Sequence, residues 1–407
     1  MKVLAVNQFY SPDTAPTAQL LTELCEYLVR EGDEVTVVAG RAAYRTEELL
    51  APQETLNGVR VVRPWSTNFG RGSMSARALD YSSFWLAAVS ACAASRKPDV
   101  ILTLTTPPLI AAGVLEVARA RGVPGLVWSQ DVYPEVAAAL GVLRPNGVAY
   151  RLLKRIGRRA MENAHGIVAL SEDMLGALVG EGAPASKLTV CPNWANGGVI
   201  HYVPMGSAEQ RSSALRIAHG WQDRFVLMYS GTLGLAHEVE TICEAAARWV
   251  SACPRLALVF VGGGARLEQV QRKLANLPNV FFLPHQPKSQ LSQTLASADA
   301  HLVLLREEVC GLVVPSKFYS ALASGRPVFF VGPSNCDLSR DIRKHELGWA
   351  GRPGETDELV AAVVHAAEQA LWLQQTGLRA REFFEEHFDQ PLALARWRGI
   401  LQAACSS

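Results

Sequence analysis

Short runs of aliphatic and β-branched residues alternate with longer segments of helical periodicity along the first half of the chain. The first run, Val3–Asn7, predicts a strand, and Thr17–Glu31 carries leucines at helical spacing up to Gly32, a residue typical of helix ends. Such alternation predicts a parallel sheet that is covered by helices on both faces. The other strands predicted in this half are Glu34–Ala39, Asp99–Thr103, Gly125–Trp128, Gly166–Ala169 and Leu188–Cys191.

The same alternation starts again in the second half, after residues 192–206, whose proline, glycine and asparagine content is typical of a linker between domains. A predicted strand at Phe225–Tyr229 is followed by a glycine turn and by a helix at Glu238–Cys253. Further strands are predicted at Leu256–Val261, Val280–Phe282, Ala300–Leu304 and Val328–Val331.

The sequence therefore predicts an α/β protein of two doubly wound, Rossmann-like domains that face a cleft. Residues 1–195 form the first domain and residues 205–385 the second, because a chain of 407 residues favours two cores over one. A helix at about 390–405 is expected to pack back on the first domain. Ligands of such sheets bind beyond the carboxyl ends of the strands.

Composition and charge exclude several classes of function. The net charge of +1 provides no global field that would recruit nucleic acid, so no nucleic-acid partner is expected. The 8 cysteines form no CxxC pair and the 9 histidines no HExxH motif, which predicts a reduced compartment and no metal or cofactor. The opening MKVLAVNQFYSPD is too short and too soon polar for a signal peptide, and no run of about eighteen apolar residues occurs, so we expect a cytoplasmic protein.

Two glycine-rich turns follow predicted strands of the second domain. In 229-YSGTLGLAH-237 and in 261-VGGGARLEQV-270, glycines allow backbone N–H groups to approach an anion, and the helix that follows favours negative charge. The first turn is not a GxGxxG sequence, which disfavours a nicotinamide-binding Rossmann fingerprint. The alternatives are an ordinary tight turn and, for Arg266 in the first turn of the second helix, a solvated side chain.

A third candidate is 310-CGLVVPSKFYSALASGRPV-328, where an apolar run meets a helix start. Pro315 suits the first helical turn, Ser316 can cap it, and Lys317 adds a point charge. Together with the glycine turns, this start predicts a site for a polyphosphate such as a nucleotide diphosphate. Since no Asp-x-Asp motif occurs, Lys317, arginines and helix N-termini are expected to meet the diphosphate charge without a metal.

The first domain contributes a carboxylate, Asp131, just beyond the predicted strand Gly125–Trp128. At the carboxyl end of a strand this side chain could orient a sugar hydroxyl or act as a general base. The alternative is that Asp131 caps a helix ahead of Pro134.

A basic stretch and an apolar one bear on location. Residues 151–159 carry five basic residues and no acid, with leucines and an isoleucine between them, and residues 78–94 are mostly apolar. A basic amphipathic helix together with an apolar aromatic one suits contact with anionic lipid, here the inner-membrane surface. The alternative is a solvated basic face and a buried core helix.

Taken together, these segments resemble a GT-B fold glycosyltransferase of family 4, in the subgroup of capsule, colanic acid and O-antigen gene clusters that includes L-fucosamine-type transferases. The resemblance covers essentially the whole chain. It implies a metal-independent hexosyltransferase that binds a UDP- or GDP-linked sugar mainly in its C-terminal domain. The matching segments are FYSPDTAPTAQLLTEL, SQDVYPEVAAALGVL, CPNWAN, YSGTLGLAHEVET, VGGGARLEQV and GLVVPSKFYSALASGRPV.

The resemblance also implies roles for individual residues. Glu308, which falls on the first glutamate of the family's E-x7-E motif, would hold the donor sugar, while Asp131 is the candidate for activating or positioning the acceptor. The second glutamate is missing, because Ser316 stands eight positions after Glu308, and the lysine common after the glycine turn falls on His237. The motifs and the resemblance together predict these donor-binding residues: Gly231, Thr232, Gly234, His237, Gly263, Arg266, His285, Gly311, Leu312, Ser316 and Lys317.

We therefore expect transfer of a sugar from a nucleotide-diphosphate donor to a saccharide linked to polyprenyl diphosphate, in surface polysaccharide biosynthesis. The enzyme is expected to be cytoplasmic and peripheral on the cytoplasmic face of the membrane. Two alternatives stay open. One is a non-transferring GT-B enzyme such as a nucleotide-sugar 2-epimerase, and the other is a catalytically degenerate partner subunit, which the missing second glutamate keeps open.

Overall fold

The computed structural model describes residues 1–42, 49–70 and 74–406, and the chain forms two compact units. The first unit comprises Met1–Pro192, the short segment Gly311–Val314 and the chain from Ala393 onward. The second unit comprises Asn193–Cys310 and Pro315–Leu392. Each unit contains one sheet with helices packed on it, so the predicted fold class is confirmed.

The described part of the first unit contains an eight-stranded sheet of order β3-β4-β2-β1-β5-β6-β7-β8. All neighbours are parallel except β3 and β4. The central strands are almost wholly apolar because helices cover both of their faces. The strands are β1 (Lys2–Val6), β2 (Glu34–Val38), β3 (Gln53–Leu56), β4 (Val59–Val62), β5 (Val100–Leu104), β6 (Gly125–Trp128), β7 (Gly166–Ala169) and β8 (Leu188–Val190).

The antiparallel pair β3–β4 was missing from the sequence prediction. Its two strands are joined by Asn57 and Gly58, which have φ values of 48° and 83°. Positive φ at both central residues is what a two-residue hairpin requires, and Asn-Gly is the dipeptide that adopts it most readily. The sequence QETLNGVRVV therefore contained this hairpin as a recognisable pattern.

In the described part of the first unit, six helices precede β8. Pro16 begins the first of them, where a residue without an N–H is tolerated. Phe84, Ala88 and Cys92 pack with apolar residues of β1, β2 and β5 in one core cluster. The helices are α1 (Pro16–Arg30), α2 (Met74–Ala94), α3 (Ile110–Ala120), α4 (Glu135–Ala139), α5 (Val148–Asn163) and α6 (Glu172–Gly180).

The described part of the second unit contains a six-stranded, wholly parallel sheet of order β11-β10-β9-β12-β13-β14. Two of its strands run further than predicted, into the glycine turns, because Gly262 pairs with Gly231 and Gly263 with Thr232. The strands are β9 (Phe225–Thr232), β10 (Leu256–Gly263), β11 (Val280–Leu283), β12 (Ala300–Leu304), β13 (Val328–Val331) and β14 (Gly348–Gly351).

The helices of the second unit enclose a core of which Trp249 and Phe260 are large members. They are α7 (Ala208–Arg211), α8 (Ala214–His219), α9 (Glu240–Ala252), α10 (Leu267–Leu274), α11 (Leu291–Ala296), α12 (Lys317–Ala323), α13 (Asp337–Lys344), α14 (Thr356–Glu368) and α15 (Ala370–His387). The chain ends in α16 (Gln390–Ser406), whose Trp397 lies 4.4 Å from Trp128 of β6, ring centre to ring centre.

Candidate functional site

The two glycine turns of the second unit lie directly against each other. Gly231, Gly262 and Gly264 have φ values of 129°, 132° and 126°, in the region that L side chains rarely adopt. A Cβ on Gly262 would collide with the carbonyl oxygen of Gly231, and one on Gly264 with Leu233. Leu233 N–H in turn donates to the Gly263 carbonyl at 2.7 Å. The glycines therefore let two strand ends meet at the carboxyl edge of the sheet.

Substituting alanine at Gly262 should destabilise the protein by about 2–3 kcal/mol, because both the φ value and the collision must be relieved. Chemical denaturation followed by tryptophan fluorescence measures the change. The matched control is Gly176→Ala in α6, where a Cβ meets open space and helix propensity predicts a gain of up to about 1 kcal/mol. Equal stability of the Gly262 variant and the wild type would contradict the packing described here.

Lys317, the first residue of α12, extends over the first glycine turn. A Cβ on Gly231 would lie 2.9 Å from Lys317 Cε. The ammonium is 3.4 Å from His237 Nε2 and 5.1 Å from the centre of the Tyr229 ring. Among the residues that the structure describes, no carboxylate forms an ion pair with Lys317, and burial lowers its pKa to about 8. A partly buried cation without a counter-ion is a favourable place for an anion.

His237 holds this ammonium as a neutral imidazole. Its Nδ1 lies 3.0 Å from both the N–H and the carbonyl oxygen of Gly234, and its Nε2 lies 3.4 Å from the Lys317 ammonium. Burial, and then the nearby Lys317, lower the pKa of His237 to about 3. Near neutral pH the pair therefore carries one positive charge, which resides on Lys317.

Arg266 is not the solvated side chain that the sequence analysis kept as an alternative. It precedes α10, and its guanidinium donates at 2.7 Å to the His237 carbonyl and at 2.7 Å to Glu240. Arg266 therefore braces the residue that contacts Lys317. Tyr229 and Glu240 were missed by the sequence analysis, because only the folded chain brings them to His237 and Arg266.

Other predicted donor residues adjoin the same strand ends. His285 lies against the second glycine turn, since a Cβ on Gly262 would be 3.1 Å from its Cε1 and one on Gly263 would be 3.5 Å from its Nε2. Thr232 ends β9, and its carbonyl accepts a 2.8 Å hydrogen bond from the Tyr229 hydroxyl. Ser316 precedes α12 but makes no capping hydrogen bond, so the predicted cap is wrong, and the residue is exposed.

Gly311 and Leu312 belong to the first unit, whereas the other predicted donor residues belong to the second. Val132 N–H donates to the Leu312 carbonyl at 2.9 Å, and Asp131 forms an antiparallel bridge with Val313. Gly311 has a φ of 71° and approaches the carbonyl oxygen of Asp173, where a Cβ would be 2.7 Å away. The structure therefore brings this segment beside the predicted acceptor residue.

Asp131 follows β6 by three residues and does not cap a helix, so that alternative is wrong. The next helix, α4, has Pro134 at its cap position and no side-chain capping bond. Asp131 retains exposed surface, yet the protein around it removes hydration from the carboxylate and raises its pKa to about 6. A cavity of about 60 Å³ adjoins it, lined in part by Thr105, Tyr133 and Glu135. A carboxylate with such a pKa can accept a proton near neutral pH.

Glu308 is exposed in a single 3-10 turn after β12. Its carboxylate pairs with Arg306 at 3.1 Å, and a backbone hydrogen bond followed by Arg306 lowers its pKa. Glu308 therefore stays ionised and acts as a hydrogen-bond acceptor.

In the part of the chain that the structure describes, no group of three or more His, Cys, Asp or Glu residues is placed to hold a metal ion. None of the described helices is both long enough and apolar enough to span a bilayer.

Comparison with known proteins gives consistent matches along the chain. Residues 17–194 match the family described as glycosyl transferase 4-like domain, and residues 224–369 match glycosyl transferases group 1. The probable glycosyltransferase WbjE of Pseudomonas aeruginosa is 24% identical, over 100% of this chain and 98% of that protein.

A second relative and a solved structure also match nearly the whole chain. The putative colanic acid biosynthesis glycosyl transferase WcaI of Escherichia coli K12 is also 24% identical, over 98% of each chain. The structure of Anabaena HepE in complex with UDP-glucose has a TM-score of 0.72 at 16% identity and covers 99% of this chain and 100% of its own. The GT-B fold expected from the sequence is confirmed.

Proposed function

The chain belongs to the glycosyltransferases that join a glycosyl transferase 4-like domain to a group 1 domain, and from that premise we propose its donor and acceptor. It is a hexosyltransferase related to enzymes of polysaccharide biosynthesis. In our proposal the second unit binds a nucleotide-diphosphate sugar, and the acceptor is a saccharide carried on polyprenyl diphosphate in surface polysaccharide synthesis.

The observation that carries the donor proposal is the ammonium of Lys317, which lies above the glycine turn at Gly231 and has no carboxylate partner among the described residues. Departure of a nucleoside diphosphate releases negative charge, and a fixed cation beside backbone N–H groups stabilises such charge. His237 and Arg266 keep the ammonium in place through the contacts described above. HepE, which shares the fold, is described in complex with UDP-glucose, so UDP is our first candidate and GDP the second.

Calorimetric titration with UDP, GDP, dTDP and CDP, in the absence of added metal, tests this proposal. We expect one diphosphate to bind selectively, which would identify the base. If none of the four diphosphates binds, the proposed donor site is contradicted, and the alternative of a degenerate partner subunit is favoured. Donor turnover in the absence of any saccharide acceptor would instead favour a non-transferring enzyme such as an epimerase.

Binding of the selected diphosphate should depend on pH through Lys317. The pKa of free Lys317 is lowered to about 8, and a bound diphosphate favours the charged form, so binding is coupled to proton uptake above that pH. We expect constant affinity between about pH 7 and 7.5, where the diphosphate is already ionised, and about a tenfold loss per pH unit above about 8. In Lys317→Arg the side chain stays charged over this range, so the affinity of this variant should not depend on pH above 8. A flat wild-type profile up to pH 9 would contradict this role.

For the acceptor, we propose that Asp131 receives the proton of the attacking hydroxyl and that Glu308 holds hydroxyls of the donor sugar. The raised pKa of Asp131 and the ionised state of Glu308 suit these two roles. A lipid-linked acceptor is consistent with WcaI, which is named for colanic acid biosynthesis. It would place the enzyme in the cytoplasm, at the inner surface of the membrane.

A further inference from the structure

The outer side of α2 presents a long row of exposed residues without a single charge. Six exposed positions repeat at helical spacing, and Leu79 and Leu86 are the large apolar ones among them. The opposite side of the helix is buried against the sheet through Phe84, Ala88 and Cys92. A helix that faces only water normally carries charged residues on its outer side. The row consists of Ser75, Leu79, Ser82, Leu86, Ser90 and Ala93.

Residues 65–70 place two aromatic side chains beside the start of this row. Trp65 is 72% exposed and Phe69 is 64% exposed. Their segment is fastened to α2, since the Thr67 N–H donates to the Ser83 hydroxyl at 3.0 Å and the Phe69 N–H donates to Asp80 at 3.0 Å. The segment that carries the two exposed aromatic residues is therefore tied to α2 at Thr67 and Phe69.

The outer side of α5 adds positive charge to the same layer of helices, because α3 packs against both α2 and α5. Val148 and Leu152 are exposed there beside Arg151 and Arg155. Within the described chain, neither of these arginines has an ion-pair partner. The other three basic residues of this stretch are paired: Lys154 with Glu181 and Glu135, Arg158 with Glu162, and Arg159 with Glu116.

Another side of α2 lies against the cavity beside the predicted acceptor residue, since the Trp85 indole N–H donates to the carbonyl of Leu109, which lines that cavity, at 3.0 Å. Tyr133 and Asp131 line the same small cavity. An acceptor that is anchored in a membrane under α2 would thus be presented on the side of the first unit where Asp131 lies.

We propose that the outer row of α2, residues 65–70 and the outer side of α5 form one surface that docks on an anionic lipid bilayer. This inference deepens the proposed function, because a lipid-linked acceptor requires the enzyme at a membrane. Trp65 and Phe69 enter the interface, where aromatic rings are favoured. Arg151 and Arg155 meet anionic headgroups while their stems and Leu152 contact the apolar boundary. This surface is called the docking surface below.

Vesicle co-sedimentation at physiological ionic strength tests the docking surface. We expect the wild type to bind vesicles of phosphatidylglycerol and phosphatidylethanolamine more tightly than vesicles of phosphatidylcholine. Trp65→Ser with Phe69→Ser should lower the partition coefficient on the anionic vesicles by about tenfold or more. Arg151→Gln with Arg155→Gln should lower binding to the anionic vesicles by a similar factor and leave phosphatidylcholine binding unchanged.

The matched control is Ile217→Ser with Leu371→Ser, two exposed apolar residues of the second unit that should leave vesicle binding unchanged. A second measurement uses brominated lipid, which should quench more fluorescence in the wild type than in Trp65→Phe. Absence of vesicle binding by the wild type, or equal loss in the control, would overturn the docking surface.

The diphosphate titrations distinguish this inference from the proposed function. Vesicle binding needs neither donor nor acceptor, so binding without any diphosphate affinity would defeat the donor proposal and leave the docking surface supported. Diphosphate affinity without vesicle binding would defeat the docking surface and leave the donor proposal supported. The Trp65 and Phe69 variants should keep wild-type affinity for the diphosphate, and an unfolding transition that matches the wild type shows that they are folded.

Discussion

Replacing Lys317 with alanine is expected to weaken binding of the preferred nucleoside diphosphate by about tenfold to hundredfold. The substitution removes one charge-assisted contact, which contributes about 1.5–3 kcal/mol. The loss should be large because Lys317 lies directly over Gly231, while Arg266 is already engaged with Glu240. Calorimetric titration of the variant at pH 7 measures the change.

Two controls make the Lys317 result specific. Lys273→Ala removes an exposed lysine of the same unit and should leave the affinity unchanged, which excludes an effect of net charge alone. The unfolding transition of Lys317→Ala should match the wild type or lie slightly higher, because a desolvated ammonium without a counter-ion is removed. Wild-type affinity in Lys317→Ala would show that the diphosphate binds elsewhere.

The alternation of apolar runs and helical segments was enough to predict both sheets. Strands such as Gly125–Trp128 and Ala300–Leu304 have the predicted bounds, because buried parallel strands are continuous apolar runs with sharp ends. The last strand, β14, was missed since its sequence GWAG lacks the β-branched residues by which strands are recognised. It forms because β13 provides a neighbouring strand with which it can pair, and this pairing depends on the tertiary fold and not on the local sequence.

The candidate donor site was predictable in its parts but not in its contacts. Glycines after strands and a lysine at a helix start are local patterns, and they made Gly231 and Lys317 candidates. The pairing of Lys317 with His237 spans 80 positions in sequence, and no local pattern contains it. The cap predicted at Ser316 does not form, because capping depends on side-chain geometry that residue type alone does not determine.

Asparagine in place of Asp131 is expected to lower the rate of sugar transfer by about a hundredfold to ten-thousandfold while diphosphate affinity stays at the wild-type value. The amide has the size of the carboxylate but cannot accept the proton of an attacking hydroxyl. The fold should tolerate the change, since Asp131 neither caps α4 nor stands in any of the ion pairs described for the first unit. The enzyme is incubated with the donor and with a membrane extract that contains the acceptor. The rate of sugar transfer is measured as the release of nucleoside diphosphate.

The pH profile separates loss of a base from loss of a binding contact at Asp131. In the wild type the carboxylate forms as pH rises through about 6, so the transfer rate should climb over that range and then level off. Asp131→Asn should lose this climb together with most of the rate. Asp223→Asn, an exposed carboxylate of the second unit, should keep both the rate and the climb. A wild-type rate in Asp131→Asn would remove this residue from proton transfer, and a low rate with the climb intact would leave it a role in positioning the acceptor only.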